Sequence, residues 1–202
     1  MPPELIAWDF DGVLNRNVVE GRFVWADNMY RDLGLDRESF QSFVFGSRRG
    51  RHVMTGTLDV HDVVSEWLVS QGSDLAATEF VQYWFESDQY PDAEVLSWIK
   101  STSARSVMAT NNERHRTKFI AQTMGFQDHM HHIFASGHLG VAKPDSAYFA
   151  AIEDWSGHSG ADILLVDDLR ENVEAARAKG WQAFHFTDET RGELPALLGF
   201  SG

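Results

Sequence analysis

Asp9 and Asp11 stand two residues apart at the end of the apolar run Leu5-Ile6-Ala7-Trp8, with Gly12 directly after them. Residues i and i+2 of extended backbone project to the same side, and a glycine lets the chain turn sharply beyond them, so two carboxylates converge on one spot. An Asp-rich turn closed by Asp-Gly is the plain alternative. Thr110 follows Ser106-Val107-Met108-Ala109, and its hydroxyl, with the amide of Asn111, suits an anionic oxygen at the start of the next helix. Thr110 and Glu113 equally fit a capping box. Lys143 precedes Pro144 and Asp145, which reads as a helix start with Pro in the first turn; the lysine is then either aimed from a loop at the sheet's edge or simply solvated. Asp167 and Asp168 close a further apolar run and offer a hard cation one direct and one indirect oxygen contact. Asp168 with Glu171 also fits an N-cap pair.

These residues need a scaffold that brings strand ends together. Leu5 to Trp8 reads as a buried strand stopped by a turn. Similar runs follow at Ser106 to Ala109, His132 to Ala135 and Ile163 to Val166, with a fifth at Gln182 to Phe186. Segments of helical periodicity at about 113–124, 145–155 and 171–179 separate them. Strands alternating with helices imply an α/β fold with a doubly wound parallel sheet, whose ligands sit at the carboxyl ends of the strands. From Asn15 to about Tyr90 the pattern changes to aromatic-rich helical stretches such as Asp62-Val63-Val64-Ser65-Glu66-Trp67-Leu68. This reads as a helical insertion that leaves after the first strand and returns near Asp92, above the polar strand ends.

Composition narrows the chemistry. The 202 residues carry a formal charge of -13, which argues against nucleic acid as a partner, because such binding rests on Lys and Arg neutralising phosphates. A small phosphorylated substrate would need local positive charge against this background. Without cysteine there is no disulfide, thiolate nucleophile or Cys-based metal site. No basic leader and no apolar run of membrane-spanning length is apparent, so a soluble cytoplasmic protein with no membrane association is expected, as monomer or homodimer.

Taken jointly, Trp8-Asp9-Phe10-Asp11-Gly12-Val13-Leu14, Thr110-Asn111-Asn112, Lys143-Pro144-Asp145 and Val166-Asp167-Asp168-Leu169-Arg170-Glu171-Asn172 resemble, in order, the four motifs of the haloacid dehalogenase superfamily. Gly140-Val141-Ala142-Lys143-Pro144-Asp145 and the spacing from Asp167 to Asn172 look like the branch of sugar-phosphate phosphatases and the epoxide hydrolase phosphatase domain. That resemblance implies a Rossmann-like core over 1–14 and 91–202 with a helical cap over 15–90. It also implies Asp9 as nucleophile, forming an aspartyl-phosphate, and Asp11 as the acid that protonates the leaving oxygen and later activates water. Mg²⁺ would be held by Asp9, the backbone carbonyl of Asp11 and Asp168, with Asp167 supporting indirectly. Thr110, Asn111 and Lys143 would bind the phosphoryl group.

The second acid separates this chain from family members that cleave carbon–halogen bonds, which lack it and need no magnesium. A Mg²⁺-dependent phosphatase acting on a small phosphorylated metabolite, such as a sugar phosphate, is therefore expected. The alternatives are a phosphomutase of the β-phosphoglucomutase type and a non-catalytic binding protein. Arg48, Arg49, Arg51 and His52 form a cationic cluster in the insertion, expected to be a solvated face rather than a substrate contact. Trp25 is expected in the insertion's core, and Asp128-His129-Met130-His131-His132 is not read as a metal site.

Overall fold

The structure, a computed structural model, describes residues 2–200. Among these residues seven strands form two sheets: β1 (Leu5–Trp8), β2 (Val18–Val19), β3 (Arg22–Phe23), β4 (Arg105–Thr110), β5 (His132–Ala135), β6 (Ile163–Asp167) and β7 (Gln182–His185). The main sheet has the order β5-β4-β1-β6-β7 and every pairing in it is parallel. The five apolar runs are thus strands, the last ending one residue before Phe186.

Alternation along β1 divides the core. Ile6 and Trp8 join Met108, Leu164 and Val166 on one face, packed under Val95, Trp98, Ile120 and Phe126. Leu5 and Ala7 join Val107, Ala109, Ile163 and Leu165 on the other, against Tyr148, Phe149, Ile152 and Trp181. Each large apolar side chain taken from water contributes roughly 1.5–3 kcal/mol, which is why a strand apolar on both faces settles at the sheet's centre.

Register then decides where the polar residues fall. Trp8 pairs with Met108 on one side and Val166 on the other, so Asp9, Thr110 and Asp167 emerge at the same edge. The ladder runs one step further, with the Asp9 amide donating to the Val166 carbonyl at 2.9 Å.

Residues 24–87 form short helices, chiefly Arg37–Phe45, Ser47–Met54, Val60–Ser70 and Ala77–Ser87, around their own apolar cluster. Trp25 is buried there, stacked on Trp84 with ring centroids 5.3 Å apart. The two-residue strands β2 and β3 make a hairpin in a stretch expected to hold no strand, because two residues are too few for alternation to show. Where the chain leaves and returns, its two limbs run side by side: the Arg16 amide donates to the Tyr90 carbonyl (2.7 Å) and the Asp92 amide to the Leu14 carbonyl (2.9 Å). Among the described residues, no helix is long and apolar enough to cross a membrane.

Candidate active site

Asp9 sits on the carboxyl end of the central strand, buried and fixed through one oxygen. Its Oδ1 accepts the Phe10 amide at 2.7 Å and lies 3.0 Å from Lys143 Nζ. Burial, opposed by Lys143 and reinforced by Asp167, Asp168 and Asp11, holds the Asp9 carboxyl well above the ordinary carboxylate range. Asp11 is held by two side-chain amides: Asn17 Nδ2 donates to its Oδ1 (2.7 Å) and Asn112 Nδ2 to its Oδ2 (2.9 Å). The same Asn112 nitrogen donates to Thr110 Oγ1 at 2.7 Å, so the hydroxyl and the second acid share one anchor.

The solvated reading of Lys143 does not survive. Its side chain is fully buried, and Nζ bridges Asp9 Oδ1 and Asp167 Oδ2, the latter at 2.6 Å. Burial opposes its charge, but Asp167 and Asp9 outweigh that and keep the ammonium protonated, its pKa above the ordinary lysine value. The Asn111 side chain brackets the lysine backbone, Nδ2 donating to the Lys143 carbonyl and Oδ1 accepting the Lys143 amide, each at 2.9 Å. Pro144 falls before the helix Ser146–Ser156 rather than in its first turn, since Asp145 is the N-cap, accepting the Ala147 amide. The Lys143–Pro144 peptide bond is cis.

Both capping alternatives are overturned. The helix Arg114–Lys118 begins three residues beyond the position that Thr110 would cap. Glu113 is its N-cap, taking the His115 and Arg116 amides on its own carboxylate. Periodicity over 113–124 is real but composite, because the chain continues as a π-helical turn at Phe119–Thr123. Leu169 rather than Asp168 stands at the N-cap of Arg170–Ala178.

Asp167 and Asp168 divide the remaining work. Asp167 is saturated: it takes Lys143 Nζ, the Leu169 amide (2.9 Å) and Asn172 Nδ2 (2.9 and 3.1 Å to its two oxygens). Asp168 leans over the turn after β1, and a Cβ placed on Gly12 would lie 2.5 Å from its Oδ2. Gly12 also has φ +78°, so the approach and the conformation both demand glycine. His185 Nε2 lies 2.9 Å from the Asp168 carbonyl. Burial, then the charge of Asp167, pushes the Asp168 carboxyl up to about 7. Donor oxygens of Asp9, Asp167 and Asp168 lie within 4.8 Å of one another. A cluster of hard carboxylate oxygens served by one buried ammonium fits a hard divalent cation that takes oxygen ligands.

Five polar residues near these groups had no role in the reading of the sequence. Asn112 stands in the Thr110 motif and Asn172 in the Asp167 motif, so position within a motif was the available signal for them. Asn17, Asp88 and Arg116 had none. Asn17 Nδ2 also donates to Asp88 Oδ1 (2.8 Å), and Asp88 Oδ2 accepts from Arg116 Nη2 (2.9 Å). Burial pushes the Asp88 carboxyl up to about 7, against the pull of Arg116.

Arg48 and Arg51 are exposed, and Arg49 lies over the Phe43 ring at 4.2 Å and 3.7 Å from Glu66. The histidines at 129–132 disperse: His129 meets Phe126, His131 the Ser106 backbone, and His132, the first residue of β5, stacks on Trp155.

A family described as haloacid dehalogenase-like hydrolase matches residues 3–180. The chain belongs to that family of hydrolases. It is 26% identical over 184 residues to a phosphoglycolate phosphatase of Pseudomonas syringae pv. tomato, an alignment covering 88% of this chain and 67% of that one. In fold it matches a HAD-like hydrolase from Porphyromonas gingivalis with a TM-score of 0.77 at 17% identity, covering 98% of each chain. A HAD family enzyme from Bacteroides thetaiotaomicron, solved in complex with magnesium and inorganic phosphate, matches with a TM-score of 0.75 at 17% identity over 95% of this chain and 98% of that one.

Proposed function

We propose that this chain is a Mg²⁺-dependent phosphatase that hydrolyses a small phosphomonoester through an aspartyl-phosphate on Asp9. The observation that carries the reading is the buried Lys143 ammonium bridging Asp9 and Asp167 beside an Asp11 carboxylate held in place by Asn17 and Asn112. A dehalogenating site has no use for that second, oriented acid. The phosphatase among the relatives and the phosphate bound in the Bacteroides enzyme agree with this reading.

In the first step an Asp9 oxygen attacks phosphorus as the bond to the ester oxygen breaks, and Asp11 gives its proton to the departing alcohol. Fixation of Asp9 through Oδ1 leaves Oδ2 as the attacking atom. In the second step Asp11 takes a proton from water as that water attacks phosphorus, the Asp9–phosphorus bond breaks, and inorganic phosphate leaves. Lys143, the Thr110 hydroxyl and the Asn111 amide bind the phosphoryl oxygens. Asp9, the Asp11 carbonyl and Asp168 would hold Mg²⁺, which when bound supplies the positive charge that brings an anionic nucleophile to an anionic phosphate. Asp167, saturated by other donors, serves to hold Lys143.

Residues 15–90 act as a helical cap on a core formed by 1–14 and 91–202. The separate apolar cluster and the paired limbs at Asn15 and Tyr90 support that division. The test is phosphate release from a panel of phosphomonoesters, phosphoglycolate and sugar phosphates included, with and without Mg²⁺. Release that needs both Mg²⁺ and Asp9 is expected. Transfer of the phosphoryl group to a second hydroxyl of a sugar, with little free phosphate, would instead assign a phosphomutase.

A further inference from the structure

Asp59, His61 and His115 meet where the inserted helices touch the sheet-bearing core. Asp59 is the N-cap of Val60–Ser70, its Oδ1 accepting the His61 amide at 2.8 Å. That same oxygen lies 3.4 Å from His61 Nδ1, and Oδ2 lies 2.8 Å from His115 Nε2. His115 comes from a different element, the helix Arg114–Lys118, whose start is fixed by Glu113 taking the His115 amide at 2.6 Å. The two imidazoles stand edge to face with centroids 4.4 Å apart, and one donor atom from each of the three residues lies within 4.8 Å of the others.

We propose that these three side chains bind a Zn²⁺-class divalent ion that pins the insertion to the core. Ligands about 2.0–2.1 Å from a tetrahedral ion lie roughly 3.3 Å from one another, so the observed separations need only small side-chain rotations to admit it. Two imidazoles and one carboxylate select a borderline ion over Mg²⁺, which sets this cluster apart from the all-oxygen site at Asp9. A surface ion pair between Asp59 and His115 would explain one histidine. It does not explain why a second imidazole is turned into the same space. His61 and His115 also line a cavity of about 430 Å³, shared with Phe85, Glu86 and Lys118, which leaves room for a water to complete the coordination. All three side chains are partly exposed, His61 least at 28%, so the ion can exchange with solvent.

The probe is Zn²⁺ itself, titrated by calorimetry into the whole chain with saturating Mg²⁺ occupying the oxygen site, and compared with His61→Ala and His115→Ala. Wild type should bind one equivalent that both variants lose, while phosphate release with Mg²⁺ alone stays at the wild-type rate in each. Co²⁺ substituted for Zn²⁺ should show the intense visible bands of a tetrahedral site in wild type and lose them in both variants. Zn²⁺ at about 100 times its dissociation constant should raise the melting temperature of wild type by about 5 °C or more and leave His115→Ala unmoved. Binding retained by both variants, or no equivalent bound by wild type once Mg²⁺ is present, would overturn the proposal.

Discussion

Among the described residues two cationic side chains are buried, and they are buried in different ways. Lys143 lies at the sheet's edge between two carboxylates, while Arg116 lies under the inserted helices with one. Arg116 spends its other donors on backbone, the Phe85 carbonyl at 3.2 Å and the Asp88 carbonyl at 2.7 Å, and is surrounded by the rings of Phe10, Phe85 and Phe119. The difference teaches what each is for. A planar guanidinium that holds a carboxylate and two backbone carbonyls at once is a clamp, here tying the end of Ala77–Ser87 to the helix Arg114–Lys118. A compact ammonium held only by anions can turn one donor to a new oxygen when substrate arrives.

Loss of either charge should therefore break different things. Lys143→Met is expected to lower kcat for phosphate release by about 10²–10³-fold, as removal of a preorganised charge-stabilising donor does, which steady-state kinetics would read. Arg116→Met should leave chemistry at low temperature largely in place. It leaves Asp88 without its cation in a buried site, at a cost of about 3–5 kcal/mol above pH 7, where that carboxyl is ionised, lowering the melting temperature there by roughly 6–20 °C in a calorimetric scan. A variant that reversed these two patterns would undo the comparison.

From Arg116 a chain of side chains runs to Asp88, then Asn17, then Asp11. Asn17→Ala should free the second acid from one of its two anchors and reduce kcat by about tenfold, with the loss concentrated in the pH profile of kcat rather than in KM.

The carboxylates of the Lys143 region also predict a pH dependence of metal binding. Asp168, with its pKa pushed up to about 7, bears a proton in the metal-free protein on the acid side of neutrality. Bound metal requires it ionised, so metal uptake releases a proton. Mg²⁺ affinity measured by calorimetry should rise as pH climbs through 7 and weaken below it. The smallest effect belongs to the surface: Arg49→Ala, losing its Phe43 and Glu66 contacts, should change stability by no more than about 1 kcal/mol and leave turnover untouched.

The Lys143 region was legible in the chain and the Arg116 region was not. A strand buried on both faces must be a short apolar run, so β1, β4, β5, β6 and β7 announce themselves, and polar residues at their ends stand out. Asp167 could be named because it closes such a run, and Lys143 because it stands directly before Pro144 and Asp145. Arg116 and Asp88 have no such flag: one is a charged residue on a short helix and the other stands just past the end of Ala77–Ser87, 28 residues apart, and only the fold makes them partners. Asn17 and Asp88 are separated by 71 residues. Capping was misjudged for a related reason. Thr110 and Glu113 satisfy a capping-box spacing, but the same Glu113 serves as a cap by itself three residues later.

Covalent chemistry at Asp9 is the claim on which the rest depends. The direct measurement is the mass of the chain after acid quench during turnover of a phosphomonoester with Mg²⁺, followed by mapping of the modified peptide. The account predicts one phosphoryl group on the peptide that carries Asp9, absent from Asp9→Asn. Phosphate released at the wild-type rate by Asp9→Asn, or a phosphoryl group mapped to another residue, would contradict it.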